Sequence, residues 1–214
     1  MRLEHGRIAL ELHELTHRAG PSLLLLHALY GSSTDWGEAP AAWPGPVYAL
    51  DFSGHGQSDW VVGGGYCPEL LAADADVALA HLGRAAVAGA GLGAYVALLL
   101  AGARPDTVPA ALLLAGAGLD GAGPVPLYDR DLPVERTESE QAQSAHDPLV
   151  WVTELTVRPV DYAASFAQRA RRLLVAENGT ARPPWWEALR HHPNCELVND
   201  DVRNALQRLA GNNR

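Results

Sequence analysis

Two stretches and one dispersed set of side chains in this 214-residue chain carry residue types that chemistry uses. His13-Glu14-Leu15-Thr16-His17 reads H-E-x-x-H, in which two imidazoles one helical turn apart hold zinc and the glutamate serves as base. Gly89-Ala90-Gly91-Leu92-Gly93 sets small residues at every second position between a short apolar run and an apolar helical stretch. In the G-x-S-x-G version of that turn a serine stands at the centre, raised on a sharp strand-to-helix bend for nucleophilic attack. Here the centre is Gly91, which has no side chain to attack with. Asp120, His146 and Ser33 form the dispersed set, a carboxylate, an imidazole and a hydroxyl from which a relocated hydrolytic site could be built.

The elements around these residues decide between readings. Ile8, Leu10 and Leu12 alternate with polar positions, which predicts a half-buried strand that ends at Gly20-Pro21. On a strand, residues four apart are separated by about 13 Å, at about 3.3 Å per residue, too far to share one zinc. No metal site is therefore expected from His13, Glu14 and His17. The glycines at 89, 91 and 93 also echo a dinucleotide fingerprint, but the spacing is G-x-G-x-G, and Asp106 precedes Pro109 in a loop rather than ending a second strand. No cofactor is expected.

Further along, Leu23–Leu26, Val47–Leu50, Ala86–Ala88, Ala111–Ala115, Leu173–Ala176 and Cys195–Val198 are short continuous apolar runs, the pattern of strands covered on both faces. Between them Pro68–Leu82, Leu92–Ala103, Pro183–Leu189 and Asp200–Ala210 have helical spacing or helix-start residues. Strands alternating with helices predict an α/β fold with a mainly parallel sheet flanked by helices, in a single domain over 1–214. Residues 118–168 break the rhythm with Gly121, Gly123, Pro124, Pro126 and Pro133 and a polar run from Glu135 to Gln143. They are read as a small cap or irregular insertion over the strand ends.

Composition narrows the function. The net charge of −9 provides no basic stripe for phosphates, so no nucleic-acid partner is expected. No apolar run approaches a membrane span, and Met1–His5 does not open a signal peptide, so a cytoplasmic location is expected. Cys67 and Cys195 make no disulfide framework. All 16 basic residues are arginine, which excludes a Schiff-base lysine and, with the Ala, Gly and Pro content, suggests a GC-rich bacterial genome.

Four motifs in order resemble the α/β-hydrolase fold superfamily over nearly the whole chain. Leu23–Ser32, LLLLHALYGS, is similar to the strand and H-G-x-x-G-S loop that supplies one oxyanion donor. Leu50–Ser58, LDFSGHGQS, is similar to the D-x-x-G-H-G-x-S turn; the Gly89–Gly93 elbow and Leu173–Gly179 follow at the expected places. The resemblance implies a nucleophile at Gly91, an acid at Gly179 and a base near Asn199, so all three triad positions stand empty. It also implies that the N–H groups of Leu92 and Leu29, with Gly91, Ala28 and His27 around them, are left to hold a carbonyl or carboxylate oxygen. The expectation is a pseudohydrolase that binds a small apolar ligand or a protein partner, including a second copy of itself. The alternative is an atypical hydrolase of small esters or amides built on Asp120, His146 and Ser33. Trp36, Trp60 and Trp151 are candidates to line the pocket.

Overall fold

A computed structural model describes residues 1–121, 145–177 and 182–211. Eight strands form one sheet: β1 (Arg2–His5), β2 (Ile8–Thr16), β3 (Ser22–Leu26), β4 (Val47–Leu50), β5 (Ala85–Ala90), β6 (Ala111–Leu114), β7 (Leu173–Ala176) and β8 (Cys195–Val198). Their order is β1-β2-β4-β3-β5-β6-β7-β8. The β1–β2 and β2–β4 pairings are antiparallel, and every later pairing is parallel. Parallel neighbours need crossovers, and helices supply most of them: α1 (Pro68–Leu82), α2 (Leu92–Ala103), α3 (Val160–Arg169) and α4 (Pro184–Leu189), with α5 (Val202–Gly211) closing the described chain.

Strand period two splits each apolar run between two cores. Leu24, Leu26, Val87 and Leu113 face the layer that holds α1 and α2, while Leu23, Leu25, Ala88 and Leu112 face Trp36, Trp43 and Leu206 of α5. Being covered on both sides is why these strands read as unbroken runs of leucine, valine and alanine. No helix among the described residues is long and apolar enough to cross a membrane.

The stretch read as irregular from 118 to 168 is more ordered at its C-terminal end than expected. Pro148–Leu155 is a 3-10 run capped by the Asp147 carboxylate, and α3 follows with Ala163 and Ala167 fully buried. These small apolar residues four apart bring α3 close enough to α2 that a Cβ on Gly102 would lie 2.5 Å from the Phe166 carbonyl. The remainder of the expected insertion, 122–144, lies outside the described residues, as does Gly179.

Candidate functional site

The parallel strands end along one edge, and the residues expected to matter lie there. β5 runs into Gly91, which caps α2 with φ 56° and ψ −119°, angles that burden any residue with a side chain. The Gly91 N–H is bonded to Leu114 O at 2.9 Å, and its carbonyl accepts from Ala94 N at 3.0 Å. The bend is tight: a Cβ on Gly93 would lie 2.2 Å from Leu26 O. The sharp turn expected at Gly89–Gly93 is therefore present in full, with glycine at its centre.

Beside it, the β3 strand leaves the sheet through His27 into a turn closed by Gly31 N donating to Ala28 O at 3.0 Å, with Tyr30 at φ 66°. That turn directs the Leu29 N–H, and the first turn of α2 directs the Leu92 N–H, toward one point. The point is filled by the chain itself. Leu29 N donates to Ala117 O at 3.2 Å, and Leu92 N donates to the same oxygen at 2.9 Å. A Cβ on Gly91 would lie 2.0 Å from that oxygen and 2.7 Å from the Gly116 carbonyl carbon. The backbone after β6 thus fills the space that a side chain at 91 would enter and accepts from both of these N–H groups.

The histidines and acids nearby have structural employment. His27 is buried; Nδ1 donates to Ala28 O at 2.7 Å and Nε2 accepts from Phe52 N at 3.1 Å, which fixes a neutral tautomer. Burial lowers its pKa, against the pull of the Ala28 carbonyl and Asp51. His55 packs 4.9 Å from His27 and is held down to about 3, first by burial and then by the neighbouring imidazole of His27. Burial pushes Asp51 up, but bonds from Gln57 N (2.9 Å), Ser33 N (2.7 Å) and His13 Nε2 (3.0 Å) outweigh it and hold the carboxyl below its usual range.

The relocated-site residues each have their own neighbours. Ser33 starts a short 3-10 turn beneath Asp51. His146 bridges to His55 and lies against the Tyr30 ring, with centroids 5.2 Å apart. Asp120 is exposed and supports the charge of Arg158. None of the described hydrogen bonds joins any two of the three. At the end of β8, the Asn199 amide donates to Glu177 Oε2 at 3.4 Å, and Arg190 pairs with the other carboxylate oxygen, while Gly179 lies outside the described residues.

The H-E-x-x-H segment lies on and just beyond β2. His13 is taken by Asp51, and His17 pairs with Glu14 at 2.7 Å. No group of three candidate metal ligands forms among the described residues.

A cavity of about 220 Å³ opens beside the turn, walled by His27, Ala28, Trp36, Ala90, Leu114 and Val202, with Asp35 and Ala115 in its lining. Of the three tryptophans singled out, Trp36 lines this cavity. Trp60 lines a separate cavity of about 720 Å³ beside β2, and Trp151 is half-buried in the 3-10 run. Sequence reasoning missed Ala117, whose part is played by a backbone carbonyl; the only local sign was the pair of glycines flanking it.

Residues 23–212 match a family model described as "Alpha/beta hydrolase family". The chain is 35% identical over 127 residues to the dihydrolipoyllysine-residue acetyltransferase component of the acetoin cleaving system of Pseudomonas putida. That match covers 56% of the chain and 33% of the relative, so the chain spans about a third of that protein's length. The thioesterase domain from the curacin biosynthetic pathway superposes with a TM-score of 0.71 at 16% identity, over 98% of this chain and 96% of that one. The bottromycin epimerase BotH, solved in complex with bottromycin A2, superposes with a TM-score of 0.60 at 17% identity, over 99% and 98%. At such identities the likeness is one of fold.

Proposed function

The chain belongs to the alpha/beta hydrolase family, and from that premise we propose that it is a non-hydrolytic member that binds a small, mostly apolar ligand. One observation carries the reading: Ala117 O accepts from both Leu29 N and Leu92 N while lying 2.0 Å from where a Gly91 side chain would begin. Acyl transfer needs a nucleophile, a base in reach of it, and preorganised donors free to take up the charge that develops on the substrate oxygen. This turn has no nucleophile, its two donors are spent on the protein's own carbonyl, and Asn199 carries no base.

The binding half of the reading draws on the cavity of about 220 Å³ at the strand ends, whose walls are mostly alanine, leucine, valine and the Trp36 ring. Its size suits a ligand of modest length, and the rim carboxylate of Asp35 disfavours an anionic group there. The BotH likeness supports the reading only as far as its printed name goes: that protein carries this fold and is an epimerase.

Two measurements on the purified protein test the proposal. Hydrolysis of p-nitrophenyl esters of several chain lengths should stay at the buffer rate. Tryptophan fluorescence should shift saturably with medium-chain aliphatic alcohols or ketones and lose that response in Trp36→Phe. Ester turnover that both Asp120→Ala and His146→Ala abolish would replace this reading with that of a relocated hydrolase.

A further inference from the structure

We propose that the Ala117–Gly118 peptide is a two-state latch on the paired N–H groups of Leu29 and Leu92, closed in this structure and opened by a flip of that one peptide plane. The geometry is that of a type II turn. Leu119 N donates to Gly116 O at 3.3 Å, closing a four-residue loop, and Gly118 at its third position has φ 73° while Ala117 keeps a negative φ. Type I and type II turns share their end residues and their closing bond, and differ by a rotation of the central peptide through about half a turn. That central peptide carries the Ala117 carbonyl.

In the type II form its oxygen points inward and satisfies Leu29 N and Leu92 N, both on buried residues. In the type I form the same oxygen points away from the two donors. Gly116 and Ala117 are exposed, so a flipped carbonyl meets water at once. The two buried N–H groups then need another acceptor, because an unpaired buried donor is costly. Opening is thereby coupled to the arrival of a water or of a ligand's carbonyl oxygen. Glycine at 118 holds the latch shut: a Cβ there would lie 2.6 Å from the Leu29 Cβ, at a φ that L-residues avoid. The latch concerns the donor pair alone and stands whether or not the neighbouring cavity binds an apolar ligand.

Native-state hydrogen exchange by NMR tests it on the unmodified protein. Once intrinsic rates are divided out, the Leu29 and Leu92 amides should exchange with one common protection factor. That factor should be at least tenfold below those of Leu24 and Leu112 in the central strands, and insensitive to low urea, since the flip exposes almost no apolar surface. In Gly118→Ala the two amides should lose a further tenfold or more of protection while Leu24 and Leu112 keep theirs. The proposal is overturned if Leu29 and Leu92 exchange only through global unfolding in the unmodified protein, a result that stands even if Gly118→Ala does not fold. It is overturned equally if a folded Gly118→Ala leaves their protection unchanged. Ester turnover bears on the functional reading above and leaves this result untouched.

Discussion

A side chain at position 91 would have to enter space that the Ala117 carbonyl already holds, at φ 56°. Gly91→Ser therefore meets two costs together, backbone strain and displacement of an oxygen that pairs two buried N–H groups. Those costs sum to about 2–4 kcal/mol of lost stability by the usual sizes of each. Urea unfolding should register that loss, and p-nitrophenyl acetate should yield no burst, because both His27 ring nitrogens are engaged, by Ala28 O and Phe52 N, and burial makes His55 a weak base, at about 3. A burst of acyl-enzyme in this variant would show that a base stands within reach of the serine. A second residue argues the same way from burial. Asp74 is fully buried and accepts from Ser53 N (2.9 Å), Ser53 Oγ (2.7 Å) and His5 Nδ1 (2.7 Å). Asp74→Ala strands those donors and should cost about 2–4 kcal/mol in chemical denaturation, with a loss under 1 kcal/mol counting against the argument. At this scale Gly91 was legible as the centre of the strand-to-helix turn, since its place between Gly89 and Gly93 is visible as letters. Ala117 was not legible, because a main-chain oxygen acts identically in every residue and only the fold decides where it points.

Elements were legible where burial imposes a period and illegible where it does not. Leu23–Leu26 and Ala111–Leu114 were marked as strands because both of their faces are covered, and α2 because it is apolar nearly all round. β1 carries Leu3 among Arg2, Glu4 and His5 on the sheet edge, too little pattern to stand out in four residues. α3 hid for a different reason. Its buried face is Ala163 and Ala167, small residues in an otherwise polar stretch, and their meaning lies in how close they let α3 approach Gly102 of α2. That closeness yields a prediction. Gly102→Val would push a branched side chain into the Phe166 backbone, which sits 2.5 Å from the Cβ position, and the two helices must separate to admit it. A loss of about 1–3 kcal/mol should appear as a lower urea midpoint, with the far-UV circular dichroism of the folded state unchanged. An unchanged midpoint would mean that α3 does not pack against α2 as described.

For the molecule as a whole, the buried imidazoles set how stability answers to pH. His27 and His55 sit side by side, linking the Ala28–Gly31 turn to the Asp51–Ser58 turn, and both stay neutral in the folded state because burial penalises their charged forms. His55 is held at about 3, against an ordinary value of 6.5. Above pH 6.5 neither the folded nor the unfolded chain protonates these rings, and their contribution to stability is complete. Below it the unfolded chain takes up protons that the folded chain refuses, so stability is lost as pH falls toward the folded value. Between pH 6.5 and 5, His55 alone accounts for a loss of about 2 kcal/mol, from about 1.4 kcal/mol per unit. Burial holds the Asp74 carboxyl above its usual range, so its contribution has the opposite sign and grows as pH falls; Asp51, held low, adds to the loss only in the acid range. The urea midpoint should therefore drop between pH 7 and pH 5, and His55→Gln, which cannot take a proton there, should flatten that drop. Because His55 packs on His27, and His27 leads directly into the turn that presents the Leu29 N–H, a local opening of these loops that brings His55 to water gains protons on acidification as global unfolding does, and should loosen the donor pair before the sheet. Exchange of the Leu29 amide should accelerate on acidification, once intrinsic rates are divided out, by a larger factor than exchange of Leu24. Equal factors for the two would place the acid sensitivity in global unfolding instead of in the loops over the strand ends.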